Sequence, residues 1–280
     1  MDKVERIGSL RDWRRGREGS IGFVPTMGYL HAGHRSLLKQ SRQENDWTVL
    51  SIFVNPLQFG PQEDLQRYPR DRVRDESIAR EEGVDLLFAP SVEEMYPRPP
   101  ATKVTVASLS ERLCGASRPG HFQGVATVVI KLFHLVQPHR AYFGQKDAQQ
   151  LAIIQRMVED LNLPLEIRPC PTVREADGLA MSSRNLYLTP EERRQATVLF
   201  ESLQWAEQAA LHHPDVHFLR EGVKQRILSC PAVRIDYVEV VSYPDLQPLH
   251  RVEDRALVAV AAYVGATRLI DNIIIQIGGK

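Results

Sequence analysis

The sequence predicts an α/β fold, a parallel sheet with helical crossovers followed by a smaller α+β domain. Three observations point there. Short apolar runs alternate with helical patterns over the first two-thirds of the 280 residues. Those runs are apolar on both faces, as strands covered by helices on both sides must be. Near Ser183 the pattern changes to helices followed by three strand-like runs. The expected domains are residues 1–178 and 179–280.

Each element has its own warrant. Ile21-Gly22-Phe23-Val24 reads as a short buried strand, followed by a glycine-containing loop and a helix over residues 34–44. Residues 48–54 (TVLSIFV) are rich in β-branched side chains and form the second strand. A charged helix at 71–82 leads to a strand at 84–88, an apolar helix at 125–136 and the strand Ala141-Tyr142-Phe143. A helix at 148–161 and a strand at 165–173 complete the first domain. In the second, Thr189-Pro190-Glu191-Glu192 marks a helix start, with Thr as N-cap, Pro at the first helical position and Glu closing a capping box. Two helices follow, then strands at 233–241, 256–264 and 270–277. Ligands of such parallel sheets sit beyond the carboxyl ends of the strands, so the strand-to-helix loops form the functional rim.

Composition narrows the function classes. With 43% hydrophobic residues and 35 basic against 35 acidic side chains, the chain has ample apolar material for a core. A balanced charge argues against nucleic-acid binding through a broad basic field, yet leaves room for small anions. Residues 1–6 are polar and hold no apolar signal core, and the most apolar stretch, 256–266, falls short of the ~20 residues of a membrane helix. Cys114, Cys170 and Cys230 are scattered without a CxxC pair, which supports neither a disulfide framework nor structural zinc. The expectation is a reduced, cytoplasmic protein, without membrane or nucleic-acid partners.

The densest chemical signal is the loop after the first strand, Pro25-Thr26-Met27-Gly28-Tyr29-Leu30-His31-Ala32-Gly33-His34. Its glycines permit tight turning and close approach to a ligand. His31 and His34, three apart at a helix start, project to one face, where N–H groups and the positive end of the helix dipole suit a phosphate. The chain holds no G-x-x-x-x-G-K-[ST], so kinase-type chemistry lacks its loop. No GxSxG or comparable nucleophile frame occurs either.

Four further clusters carry candidate residues. Asn55 and Gln58 follow the second strand and offer uncharged amides for hydroxyl or carboxylate recognition, though loop polarity explains them equally. Gly144-Gln145-Lys146-Asp147, with Gln149 and Gln150 beyond, offers a lysine for phosphate and an aspartate for ribose hydroxyls, or a helix-capping surface pair. Asp177 to Asn185 contains Met181-Ser182-Ser183-Arg184, two hydroxyls and a guanidinium able to clamp phosphate oxygens, or a polar linker. Arg118 and His121 sit in a turn-rich frame whose residues alone decide nothing. Asp75 lies on a helix of mixed charge, where a solvated carboxylate is the ordinary outcome.

Taken together, PTMGYLHAGH (25–34), SIFVNPLQF (51–59), YPR (68–70), ASRPGHF (116–122), FGQKD (143–147) with Gln149-Gln150, DGLAMSSRN (177–185) and RLIDN (268–272) closely resemble the pantoate–β-alanine ligase family. That family lies within the HxGH nucleotidylyltransferases. The resemblance implies a Rossmann-like first domain, a C-terminal lid domain, a homodimer, and Mg²⁺ with ATP as substrate. It implies condensation of pantoate with β-alanine through a pantoyl adenylate, releasing pyrophosphate and then AMP. By the same resemblance residues 25–34 bind ATP, with His34 catalytic and His31 beside it. Gln58 and Gln150 hold pantoate, Asn55 lies near the phosphates, Gly144 and Asp147 meet the ribose, and Gln145 belongs to the ATP site beside them. Lys146, Ser182, Ser183 and Arg184 serve the phosphates, Val173 and Met181 the adenine, and Arg118 and His121 the mouth of the site. Asp75 becomes a candidate metal ligand. Three positions depart from the family pattern: Gln145 replaces the usual Glu, Ala148 a common aromatic, and Arg74 an acidic residue, the last weakening a protein-held metal.

The amine-using ligase competes with a nucleotidyltransferase lacking an amine step and with a silent ATP-binding regulator. Gln58 and Gln150 favour an acid substrate, and the intact His34, Lys146 and Ser182-Ser183-Arg184 favour catalysis.

Overall fold

The computed structural model describes residues 1–61 and 63–278. They form two compact units. The first comprises Met1–Ser110, Arg118–Gln145 and Ile153–Pro171; the second comprises Glu111–Ser117, Lys146–Ala152 and the chain from Thr172 onward.

The first unit is built on six parallel strands, β1 (Asp2–Val4), β2 (Ile21–Thr26), β3 (Trp47–Ile52), β4 (Leu86–Phe88), β5 (Arg140–Gly144) and β6 (Glu166–Cys170), in the order β1-β4-β3-β2-β5-β6. The central strands are buried on both faces. Val24 packs with Leu38, Leu50, Ile78 and Leu87 in one core cluster, which joins the helices Ala32–Glu44 and Arg72–Glu81 to the sheet. Its neighbour Phe23 meets Phe133 of the helix His121–Val136 edge to face, with ring centroids 6.4 Å apart. Adjacent strand residues face opposite ways, so a helical layer covers each side. All strands run one way, so the loops after β2 and β3 and the end of β5 lie on one edge of the sheet.

Two elements here were not expected from sequence. The edge strand β1 pairs with β4, Asp2 opposite Leu86, and the helix Ile7–Arg15 buries only Leu10. Both are too polar to announce themselves.

In the second unit, β7 (Val233–Ser242), β8 (Arg255–Val264) and β9 (Thr267–Gln276) form an antiparallel meander. The stretch expected as two helices contains three, Pro190–Ala196, Val198–Ala210 and Val216–Leu228, because the chain breaks at Thr197. Leu199, Leu203, Val223 and Ile227 pack with Val238, Val258 and Val260 in one core. The capping box at Thr189 forms as expected: its hydroxyl accepts the Glu192 N–H at 3.2 Å, and Glu192 accepts the Thr189 N–H at 2.8 Å. All three cysteines are free thiols. Among the described residues no helix is long and apolar enough to cross a membrane.

Candidate active site

In the first unit the loop after β2 is held from below. Thr26 donates its hydroxyl to the Ser51 carbonyl at 2.8 Å and accepts the Gly28 N–H at 3.2 Å. Gly28 and Tyr29 then take left-handed conformations, with φ of 85° and 52°. A Cβ on Gly28 would lie 2.9 Å from Ile52 Cγ2 and 3.0 Å from Asp75 Oδ2, so both backbone and space demand glycine there. The turn delivers the N–H groups of Tyr29 and Leu30 to the two Asp75 oxygens, at 2.8 and 2.7 Å.

This arrangement gives two of the candidate residues a structural part. Asp75 is buried, both of its oxygens accept main-chain N–H groups, and burial pushes its carboxyl above its ordinary pKa. It anchors the loop through the main chain. Leu30, expected against ATP, has its side chain fully buried in the core and serves as a second anchor. Among the described residues no group of three or more His, Cys, Asp and Glu side chains is placed to hold a metal.

The helix that follows starts with a capping box made from two imidazoles. His31 is the N-cap, and its Nδ1 accepts the Gly33 N–H at 3.2 Å. His34 reaches back, its Nδ1 accepting the His31 N–H at 3.3 Å, and the ring centroids lie 4.0 Å apart. A neutral imidazole that accepts at Nδ1 carries its proton on Nε2. Both rings therefore carry an Nε2–H at a helix N-terminus, the donor arrangement an anion requires. A cavity of about 540 Å³ flanks His31, lined also by Arg35, Asp71, Arg74 and Ser77.

The loop after β3 divides the two amides. Asn55 is 1% exposed, and its side chain is fully engaged inside the protein. Its Oδ1 accepts from the Leu57 N–H (3.3 Å) and the Tyr96 hydroxyl (2.9 Å), and its Nδ2 donates to Gln58 Oε1 (3.1 Å) and the Gly124 carbonyl (3.2 Å). All four hydrogen-bonding positions of the amide are taken, so Asn55 ties this loop together. Burial pushes the Tyr96 hydroxyl up to about 12, which keeps it a donor. Gly124 allows the helix to touch this loop, since a Cβ there would lie 2.2 Å from the Leu57 carbonyl oxygen. Gln58 stays half-buried and points its Nε2 at Met27 Sδ, 3.3 Å away, which joins the two loops.

Arg118 and His121 belong to the same network. His121 Nδ1 donates to the Gln58 carbonyl at 2.8 Å, so its Nε2 is the acceptor for Arg118 Nη1 at 3.0 Å. Arg118 also grips Glu63, with Nε to Oε1 at 2.7 Å. Burial pushes the Glu63 carboxyl up, but the Arg118 bonds outweigh it and leave the group below its ordinary value. Glu63 had no signal in the sequence beyond its charge.

The remaining candidates begin at the end of β5, with Gly144 and Gln145 in the first unit and the others in the second. After β5, Gln145–Asp147 forms a single 3-10 turn ahead of the helix Ala148–Asp160. Lys146 and Gln150 are half-buried and Asp147 is exposed. Gln149 is buried, accepting the Cys114 N–H at 3.0 Å and donating to the Arg112 carbonyl at 2.6 Å. Asn272 Nδ2 donates to the Lys146 carbonyl at 2.8 Å.

Val173 and Met181 face each other across a short hairpin, the Met181 N–H bonding the Val173 carbonyl at 3.0 Å. Arg174 secures it with a two-pronged pair to the buried Asp271, at 2.6 and 3.0 Å, while Arg193 holds Glu175 and Asp177, each at 2.8 Å. Ser182 caps the next turn by accepting the Arg184 N–H at 3.2 Å, with Ser183 buried and Arg184 half-buried behind it. The supports Arg174, Arg193, Asp271 and Asn272 were missed as such. The one available signal was a polar pair, Asp271-Asn272, inside an otherwise apolar strand.

A parallel α/β sheet with a histidine-capped helix N-terminus on its carboxyl edge defines an enzyme that handles phosphates. Comparison with known proteins gives the particular kind. The family model for pantoate–β-alanine ligase matches residues 2–274. The pantothenate synthetase of Caldicellulosiruptor bescii is 58% identical over 277 residues, covering 99% of this chain and 98% of that protein. That of Thermotoga neapolitana is 54% identical over 276 residues, covering 98% and 99%. The crystal structure of pantothenate synthetase from Thermus thermophilus superposes with a TM-score of 0.94 at 51% identity, covering 98% of this chain and 99% of that one. The Francisella tularensis pantoate–β-alanine ligase, solved in complex with β-γ ATP and β-alanine, gives a TM-score of 0.82 at 35% identity, covering 98% and 97%. The chain belongs to the pantoate–β-alanine ligase family and is a ligase that forms pantothenate from pantoate and β-alanine with ATP.

Proposed function

We propose that the chain carries out this condensation in two steps, with roles divided among the residues above. In the first, a pantoate carboxylate oxygen attacks the α-phosphorus of ATP; the new P–O bond forms as the bond to the β-phosphate bridge breaks, and pyrophosphate leaves with the electron pair. The nucleophile is already ionised, so the step needs alignment and charge stabilisation more than a base. The Nε2–H groups of His31 and His34 donate to phosphate oxygens as charge builds, helped by Lys146, Ser182, Ser183 and Arg184. Residues 25–29, 32 and 33 shape the loop against ATP, with Gly144, Gln145 and Asp147 toward the ribose, and Val173 and Met181 toward adenine. Gln58 and Gln150 bind pantoate, with Arg118 and His121 fixing the Gln58 backbone. In the second step the neutral β-alanine amine attacks the acyl carbon, the C–O bond to the phosphate breaks, AMP leaves with the electron pair, and the nitrogen sheds a proton to solvent as the amide forms.

No protein cage for Mg²⁺ is built by the described carboxylates and imidazoles, so in this proposal the ion arrives on the phosphates of ATP and screens their charge. A homodimer in the cytoplasm completes the reading.

The observation that carries the proposal is the reciprocal capping of His31 and His34, which sets the protonated edge of both rings. The test is pantoate-dependent exchange of pyrophosphate into ATP in the absence of β-alanine, run on wild type and His34→Ala. Wild type should exchange only with pantoate present, and His34→Ala should lower kcat by ~10²-fold or more. Exchange without pantoate, or near-normal turnover in the variant, refutes the assignment.

A further inference from the structure

Strand β9 contains a feature that strand pairing does not explain. Asp271 and Asn272 are 4% and 7% exposed, next to Ile270 and Ile273 and opposite Val260 and Ala259 of β8. Buried polar side chains on a strand destabilise it unless they are hydrogen-bonded, and neither strand neighbour offers a polar side chain. Their partners lie far away in sequence. Asp271 takes Arg174, 97 residues distant, and Asn272 takes the Lys146 carbonyl, 126 residues distant.

The bond to Lys146 acts on a specific degree of freedom. The Lys146–Asp147 peptide is planar, so its carbonyl and the Asp147 N–H point in opposite directions. Holding the carbonyl at 2.8 Å restrains the orientation of that peptide plane, and with it the backbone from which the Lys146 side chain departs. Lys146 lies in a single 3-10 turn, too short to be rigid by itself. Three residues on, buried Gln149 pins the start of the helix through the Cys114 N–H and Arg112 carbonyl. Asn272 holds the turn at one end and Gln149 at the other.

We propose that Asn272 is a positioning residue for the adenylation step: through the Lys146 carbonyl it aims the lysine ammonium at the nucleotide without touching it. This rests on the assignment of Lys146 to the phosphates. A long, flexible ammonium contributes to catalysis only when its base is fixed, and small misplacements of a charge-stabilising group are costly in rate.

The test is a double-mutant cycle on the full chain, read by pyrophosphate exchange and by steady-state kcat and KM. Asn272→Ala alone should lower kcat by about 10-fold, with KM for pantoate within 2-fold of wild type. In a Lys146→Ala background the same substitution should change kcat by less than 2-fold, because the side chain it aims is gone. An equal loss in both backgrounds makes Asn272 a structural residue only and overturns the proposal. A silent Lys146→Ala removes the assignment on which it rests and overturns it too, by a distinguishable route. Should Asn272→Ala not fold, Asn272→Asp keeps the size and polarity while replacing the donor that faces the Lys146 carbonyl, and the same cycle applies with the same expectations.

Discussion

The loop Thr26–His34 and the hairpin carrying Val173 and Met181 are both proposed to meet ATP, but they are held by different physics. The first is anchored through main chain: Asp75 accepts two consecutive backbone N–H groups, and the two histidines cap each other's backbone. The second is anchored through side chains, by Arg174 on Asp271 and Arg193 on Glu175 and Asp177. A main-chain anchor fixes backbone shape whatever the loop's own side chains do, so it suits a segment whose N–H groups and imidazoles must face a phosphate. A side-chain anchor fixes where a segment sits and leaves its backbone to local hydrogen bonds such as Met181 to Val173.

The largest expected effect comes from breaking the hairpin's buried pair. Asp271→Ala leaves the Arg174 guanidinium, 18% exposed, without its carboxylate. Removing one partner of a buried ion pair destabilises by roughly 3–5 kcal/mol. The urea midpoint should fall accordingly with little change in slope; a loss under ~1 kcal/mol would mean that stacking of Arg174 on Phe200, at 3.7 Å, holds the hairpin instead.

Next in size is the main-chain anchor. Asp75→Ala strands two N–H groups, each worth about 1–3 kcal/mol when left unsatisfied, so a loss of about 2–4 kcal/mol is expected. The two variants should also differ in kind. Asp75→Ala releases the loop that sets the histidine tautomers, so a folded remainder should lose kcat more than it loses affinity for ATP. Unchanged kcat in that variant would separate the Asp75 anchor from the histidines and end the comparison.

How much of this was legible follows from the same contrast. The central strands were readable because a strand buried on both faces must be apolar throughout, as in Ile21-Gly22-Phe23-Val24. The edge strand β1 has only Val4 to contribute and was invisible. Local capping was readable at Thr189, and the placing of His31 and His34 at a helix start was correct, although their mutual capping was not foreseen. What the sequence does not display is the environment of polar side chains. Asp75 looked like a solvated or metal-binding carboxylate because its partners, Tyr29 and Leu30, lie 46 and 45 residues upstream. Asn55 looked available because its closing partners, Tyr96 and Gly124, lie 41 and 69 residues on. Residue type announces chemistry; only the fold decides whether that chemistry faces inward or toward a ligand.

The smallest effect distinguishes the anchors by sign. Burial raises the Asp75 carboxyl above its unfolded value of 3.8, so between that value and its folded pKa the native state holds more protons than the unfolded chain. Stability from this group falls as pH rises through that window and is level above it. Glu175 behaves oppositely: burial pushes it up, but the bonds from Arg193 and Asn185 outweigh burial and leave it below 4.5. Its contribution is fully present above that value and is lost as pH falls through its lower folded pKa. In each group burial and hydrogen bonding oppose one another, so each contribution is small. Urea midpoints at intervals from pH 3 to 7 for Asp75→Asn and Glu175→Gln, each subtracted from wild type, should trend in opposite directions. Slopes of the same sign would show that Asp75 is stabilised in its charged form by the two N–H groups more than burial opposes it, and that the two anchors share one electrostatic logic.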